Sequence, residues 1–148
     1  MDKITEIFDV DREIHRLYMK CCFGMLREND LHPKQMPIMD IMLDSRACSQ
    51  SDIAREQGVS CATVGMSVRR LERAGLIERN VDENDQRANR LELTELGKSC
   101  ALHGRQVRDD ITHKMLAGFS DDELSQYLCF TKRILTNLEQ VTDEWEAR

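Results

Sequence analysis

Chain breakers are scarce in this sequence, with seven glycines and two prolines among 148 residues, and aromatics make up only 5%. Together with 32% charged residues, this composition favours a mostly helical soluble protein. No apolar run reaches the roughly 18 residues of a membrane-spanning helix, and the N-terminal stretch lacks the basic-then-apolar pattern of a secretory signal. A cytoplasmic location is expected, with no membrane partner. None of the six cysteines forms a Cys-x-x-Cys pair, and a chain of this length needs no disulfide staples, so reduced thiols are expected. Cys100 and His103 stand three apart on an expected helix and could hold a metal from one side. A small buried thiol beside a surface histidine accounts for them better, so no metal or other cofactor is expected.

Signatures of catalysis are missing too. There is no Ser/His/Asp order, no phosphate-cradling glycine loop and no His-Glu-x-x-His helix, and the four histidines lie far apart. The chain is not expected to be an enzyme. Its length suits one compact domain, or a small domain with added dimerisation helices, better than two independent domains.

What the sequence does contain is concentrated between residues 49 and 97. Ser51 and Asp52 offer side-chain oxygens to the first turn of a short helix that stops at Gly58, the residue type that leaves a helix most cheaply through a left-handed conformation. Val59 follows as an apolar plug, and Ser60 caps a second helix running to Ala74. In that helix Val64, Val68 and Leu71 recur at i, i+4 and i+7 and form a buried face. Ala62, Thr63, Met66, Ser67 and Arg70 point elsewhere, on a face that is small, polar and basic. After Gly75, residues 76–79 and 90–93 alternate as strands do around a charged loop. A helix, a turn, a helix and a hairpin make a winged helix-turn-helix.

The segments Ser60-Cys61-Ala62-Thr63-Val64, Leu71-Glu72-Arg73-Ala74-Gly75-Leu76-Ile77, Asp85-Gln86-Arg87-Ala88-Asn89-Arg90 and Leu93-Thr94-Glu95-Leu96-Gly97 resemble, in combination and spacing, the MarR family of bacterial transcription regulators. Upstream, Leu31-His32-Pro33-Lys34-Gln35-Met36 is similar to the family's Leu-Thr-x-x-Gln-Phe segment. The resemblance implies a mainly α fold with a small β-hairpin wing: a winged helix-turn-helix over about 31–97, with dimerisation helices over about 1–28 and 98–145 of a single chain 1–148. It also implies a sequence-specific repressor that responds to a ligand or to redox change, acting as a homodimer on a pseudo-palindromic site in double-stranded DNA. Two positions depart from the family: Gly65-Met66 stands where Ser-Arg is common, and Cys61 where a basic or polar residue is frequent. Methionine cannot make the bidentate bond by which arginine reads guanine, and a mid-helix glycine costs ~1 kcal/mol against alanine unless a close approach compensates.

Charge at first argues against nucleic acid, because the net is -6 and the pI about 5.2. Residues 46–90, however, hold eight arginines against seven acidic residues, a net of +1 that leaves -7 for the rest of the chain. Acidic helices far from the phosphates cost little, since exposed charges beyond about 8 Å are largely screened at physiological salt. The expected DNA contacts are therefore local. Thr63 and Ser67 can bond base edges or phosphates, Ala62 and Met66 share their face, and Arg69 and Arg70 reach phosphates unless Glu72 or Glu78 takes them. Ser60 is first a helix cap. By resemblance, Arg87 enters the minor groove from the wing and Asp85 orients it; Arg90 supports the wing from its strand. A winged helix that binds another protein and no DNA is the alternative, and basic residues on both the second helix and the wing favour the duplex.

The flanks read as helices. An apolar stripe over about 2–28, carrying Ile4, Ile7, Phe8, Ile14, Leu17, Tyr18, Cys21, Met25 and Leu26, is long for a domain that already has a core, which suggests contact with another subunit. A helix is expected over 33–43, where Pro33 suits the first turn and Pro37 is awkward. Another follows over 98–117, and Ser120 with Glu123 forms a capping box for a last one bearing Leu124, Leu128, Ile134, Leu135, Leu138 and Val141. Cys21 and Cys22 near Tyr18 are the redox candidates, against the simpler reading of packing thiols. The resemblance leaves the signal open among a small aromatic anion, an oxidised cysteine and a zinc ion.

Overall fold

The structure, a computed structural model, describes residues 2–26, 32–45, 48–81 and 89–147. Among the described residues, six α-helices and a two-stranded hairpin follow in the order α1 (Lys3–Leu26), α2 (Met36–Asp44), α3 (Gln50–Gln57), α4 (Cys61–Arg73), β1 (Ile77–Val81), β2 (Asn89–Leu93), α5 (Glu95–Met115) and α6 (Asp121–Glu146). Residues up to Ile111 form one compact unit and those from Thr112 a second.

In the first unit the core is built by the end of α1, by α2 to α5 and by the hairpin, around Met39, Ile53, Val64, Val68, Leu71 and Leu91. The single helix expected over 33–43 is two elements: a 3-10 turn, Pro33–Gln35, and then α2, in whose first turn Pro37 falls. There the missing N–H deletes no helical bond, so the awkward proline is accommodated at little cost. Helix α3 starts one residue earlier than expected. Ser49 accepts from the Asp52 backbone N–H and donates its own N–H to the Asp52 carboxylate, a complete capping box. Gly58 closes it at φ +64°, but Val59 stays 41% exposed, so the turn is held by its N–H bond to the Ala54 carbonyl and by no apolar plug.

The hairpin is antiparallel, with Ile77 opposite Leu93 and Arg79 opposite Leu91. Cys48 bridges to Leu91 through two backbone hydrogen bonds, which carries the connection between α2 and α3 onto the free side of β2. Thr94 then joins hairpin to helix. Its hydroxyl donates to the Gly75 carbonyl (2.7 Å) and accepts from the Gly97 N–H (3.0 Å), capping α5 while tying it to the end of α4. Further along α5, Arg108 meets Asp40 of α2 at 2.6 Å and Arg105 meets Asp44 at 3.0 Å, pairs that fix α2 and α5 in register.

Most of α1 is solvent-exposed. Of its 24 residues only Cys22 and Leu26 are buried, whereas Ile4, Ile7, Phe8, Ile14, Leu17 and Met25 remain exposed. The apolar stripe places Cys21 on the core side; the structure exposes Cys21 and buries its neighbour. Only the last turns of α1 meet the core, and there residues 22 and 26, four apart, face inward together. In the second unit Gly118 breaks the chain at φ +90°, and Ser120 and Glu123 form the expected capping box. No residue of α6 is buried, and Tyr127, Leu128, Phe130, Ile134, Leu135, Leu138 and Trp145 are all exposed. Among the described residues, no helix is long and apolar enough to cross a membrane.

Candidate nucleic-acid interface

Helix α4 owes its exposed face to its buried one. Val64, Val68 and Leu71 are at most 1% exposed, and a helix anchored along that stripe must turn Ala62, Thr63, Met66, Arg69 and Arg70 to solvent. Its start is fixed by Ser60, whose hydroxyl accepts from the Thr63 N–H at 3.2 Å and lies 2.9 Å from the Thr63 hydroxyl. Ser60 is thus a cap, as its position before the helix indicates.

Ala62, Thr63, Met66 and Arg69 line one open groove together. Four residues outside the sequence-derived set complete it: Gln50 from α3, Cys61 and Gly65 from α4, and Arg79 from β1. Ser67 is half-buried, and neither it nor Arg70 lines the groove. Arg90 is exposed on β2, opposite Asn80. Asp85 and Arg87 lie outside the described residues.

Gln50 and Arg79 carry no local signal that marks them. Gln50 reaches the groove from a helix eleven residues upstream of Cys61, and Arg79 reaches it from a strand seven residues beyond its partner Glu72. The sequence leaves Glu72 and Glu78 as competing partners for Arg69 and Arg70. Instead Glu72 accepts both Nε and Nη2 of Arg79, a bond pair between α4 and β1 that holds the strand's guanidinium at the groove wall. Arg69, Arg70 and Arg73 consequently keep their charge without a hydrogen bond or ion pair to any described residue. Three guanidinium groups without a partner among the described residues, all exposed on one helix, suit a polyanion.

The buried thiols are set apart from this face. Burial pushes the Cys22 thiol up, an effect that its bond with Tyr18 and the nearby Arg108 charge only partly offset. Desolvation disfavours the Cys22 thiolate more than the neighbouring phenol favours it. Cys48 is likewise raised by burial. Cys61 is exposed, 3.9 Å from the Ser51 hydroxyl.

A capped helix-turn-helix followed by a hairpin, with the second helix presenting a basic grooved face, defines a winged helix-turn-helix protein. Residues 31–88 match the family described as the MarR family. The chain is similar to a probable transcriptional regulator from Pseudomonas aeruginosa, at 25% identity over 86% of this chain and 96% of that one, with a TM-score of 0.72. The fold is shared with the S. aureus MepR–DNA complex, at 23% identity, 86% and 95% coverage and a TM-score of 0.76. It is shared also with a mutant MarR from E. coli complexed with operator DNA, at 19% identity, 91% and 99% coverage and a TM-score of 0.74.

Proposed function

We propose that the protein is a sequence-specific DNA-binding transcriptional repressor that acts as a homodimer on a pseudo-palindromic operator. The observation that carries this reading is the exposed face of α4, where Thr63, Met66 and Ala62 share a groove with Arg69 while the adjacent arginines lack partners among the described residues. Two of the solved structures that share its fold are DNA complexes by their own descriptions, which supports the same use of the fold here.

In this reading α4 enters the major groove. Thr63, Met66 and Ala62 meet base edges, Arg69 and Arg70 contact phosphates, and Ser60 and Ser67 flank the contact. Arg87 reaches the minor groove from the wing, oriented by Asp85 and supported by Arg90. Residues 31–97 carry this work, and the helices over 1–28 and 98–145 join two copies of a single-domain chain. The exposed apolar stripe of α1 and that of α6 are each surfaces a second copy would cover, since so much apolar area left in water favours association. The family resemblance supports release of DNA by a signal, either a small aromatic ligand or an oxidant acting on Cys21 or Cys22; of these two thiols, exposed Cys21 is better placed than shielded Cys22 to meet an oxidant.

Selection of bound duplexes from a random pool, with sedimentation of the free protein and the complex, tests the reading. The expected result is a dimer in solution and an enriched two-fold sequence with half-sites about one helical turn apart. A monomer that enriches no sequence would overturn it and leave a protein-binding winged helix in its place.

A further inference from the structure

Gly65 occupies the middle of α4, where glycine is the least favourable residue after proline. It is buried, and its neighbour is a side chain of this same protein. A Cβ built on Gly65 would lie 2.9 Å from Nε2 of Gln50 and 3.6 Å from its Cδ, closer at the nitrogen than real side chains come. That same Nε2 donates to the carbonyl oxygen of Cys61 at 2.8 Å. Gln50 is the first residue of α3, and Cys61 the first of α4. The side chain therefore crosses over the bare backbone at Gly65 to join the starts of both helices, and its own start is held by the Ser49–Asp52 capping box next to it.

Besides Arg69 and Arg79, the groove is lined on α4 by the short side chains of Ala62 and Thr63 and by Met66, none of which has the reach of an arginine. Short side chains tolerate little error in the placement of the helix that bears them, because one held a fraction of an ångström too far from a base edge cannot extend to meet it. Resting on the DNA-binding reading, we infer that Gln50 is a positioning residue for sequence discrimination: threaded over Gly65, it fixes the first turn of α4 at the depth where Ala62, Thr63 and Met66 meet base edges. It acts through α4. Gly65 serves it by leaving the space its amide occupies.

The test uses the full chain, the duplex selected by the wild type and an unrelated duplex, with Gln50→Met, Gly65→Ala and the double variant. Methionine keeps the length of glutamine and removes the donor. Gln50→Met should lower operator affinity roughly three- to ten-fold, the effect of one hydrogen bond, and lower affinity for the unrelated duplex clearly less, while the melting temperature stays near wild type. Gly65→Ala should lose operator affinity in the same direction although alanine favours the helix, because the amide tip is what yields. The double variant should bind no worse than Gln50→Met, since the new methyl then displaces no amide. Equal losses on both duplexes, additive losses in the double variant, or unchanged operator affinity in Gln50→Met would each overturn the inference. A wild-type chain that enriches no duplex defeats the DNA-binding reading and this inference with it, whereas one that does so while the variants match it defeats the inference alone.

Discussion

A Cβ on Gly97 would stand 1.8 Å from the carbonyl oxygen of Leu76, a backbone atom that cannot rotate away. The first turn of α5 lies directly on the chain that enters the hairpin, and the Thr94 N–H donates to that same carbonyl at 3.1 Å. Glycine is required here for proximity, with no unusual torsion involved.

Gly97→Ala should therefore lower stability by about 1–3 kcal/mol or more, the usual penalty for forcing extra volume into a packed site. Urea unfolding followed by circular dichroism would read it. A midpoint equal to wild type would mean that α5 can shift without cost, and that this close approach does not hold helix to hairpin.

Gly97 also illustrates what a sequence can disclose. The run Leu93-Thr94-Glu95-Leu96-Gly97 is recognisable as a family pattern, and the structure supplies its chemistry in the bonds of Thr94 to Gly75 and Gly97. Local signals are legible because their causes are local. Ser60 and Ser120 cap helices within three residues, and Gly58 and Gly75 turn the chain at φ +64° and +69°. Side chains that meet across elements are not legible. No spacing rule connects Gln50 to Cys61 or Arg79 to Glu72, and the register of α1 at Cys22 depends on which of its turns touches the core. Pro37 looks awkward in the sequence only because the 3-10 turn ahead of α2 leaves no trace in apolar periodicity.

The cap at the start of α3 makes a pH prediction with a definite sign. The hydroxyl of Ser49 and then its backbone N–H hold the Asp52 carboxyl below the usual aspartate range. A depressed folded value means that the contribution is present above the unfolded value, about 3.9, and is lost as pH falls through the lower folded value. Asp52→Asn should thus be less stable than wild type at neutral pH, and the gap should narrow as pH falls below about 4. Urea midpoints for both proteins at neutral and acid pH would show it. A gap independent of pH would assign the cap to hydrogen bonding alone, with no role for the charge.

Thiol chemistry separates the core from the groove. Cys22 and Cys48, both in the core and both raised by burial, should resist alkylation at neutral pH until the protein unfolds. Cys61 is exposed in the groove and should react in the native state, and bound operator should slow that reaction while leaving the buried thiols unchanged. Mass spectrometry of peptides after brief treatment with iodoacetamide gives all three rates. Alkylation of Cys61 at the same rate with and without saturating operator would place DNA elsewhere on the protein.

The two arginines of the groove should differ in the way their partners dictate. Arg69 lines it without a hydrogen bond or ion pair to a described residue, whereas Arg79 shares its charge with Glu72. A free guanidinium that neutralises a phosphate releases its counterion, so Arg69→Ala should weaken operator and unrelated duplex alike and reduce the slope of log affinity against log salt by about one. Arg79 already stands beside a carboxylate, so Arg79→Gln removes one positive charge but uncovers one negative charge at the groove wall. Its salt slope should also fall, yet the added Glu72→Gln change should restore much of the affinity, a rescue that no described partner of Arg69 can provide. Binding titrations at several salt concentrations on the selected duplex would separate the two. If Arg69→Ala leaves the salt slope unchanged while Arg79→Gln lowers it irrespective of Glu72, the strand and not the helix supplies the phosphate contact, and α4 meets DNA by its apolar and hydroxyl side chains alone.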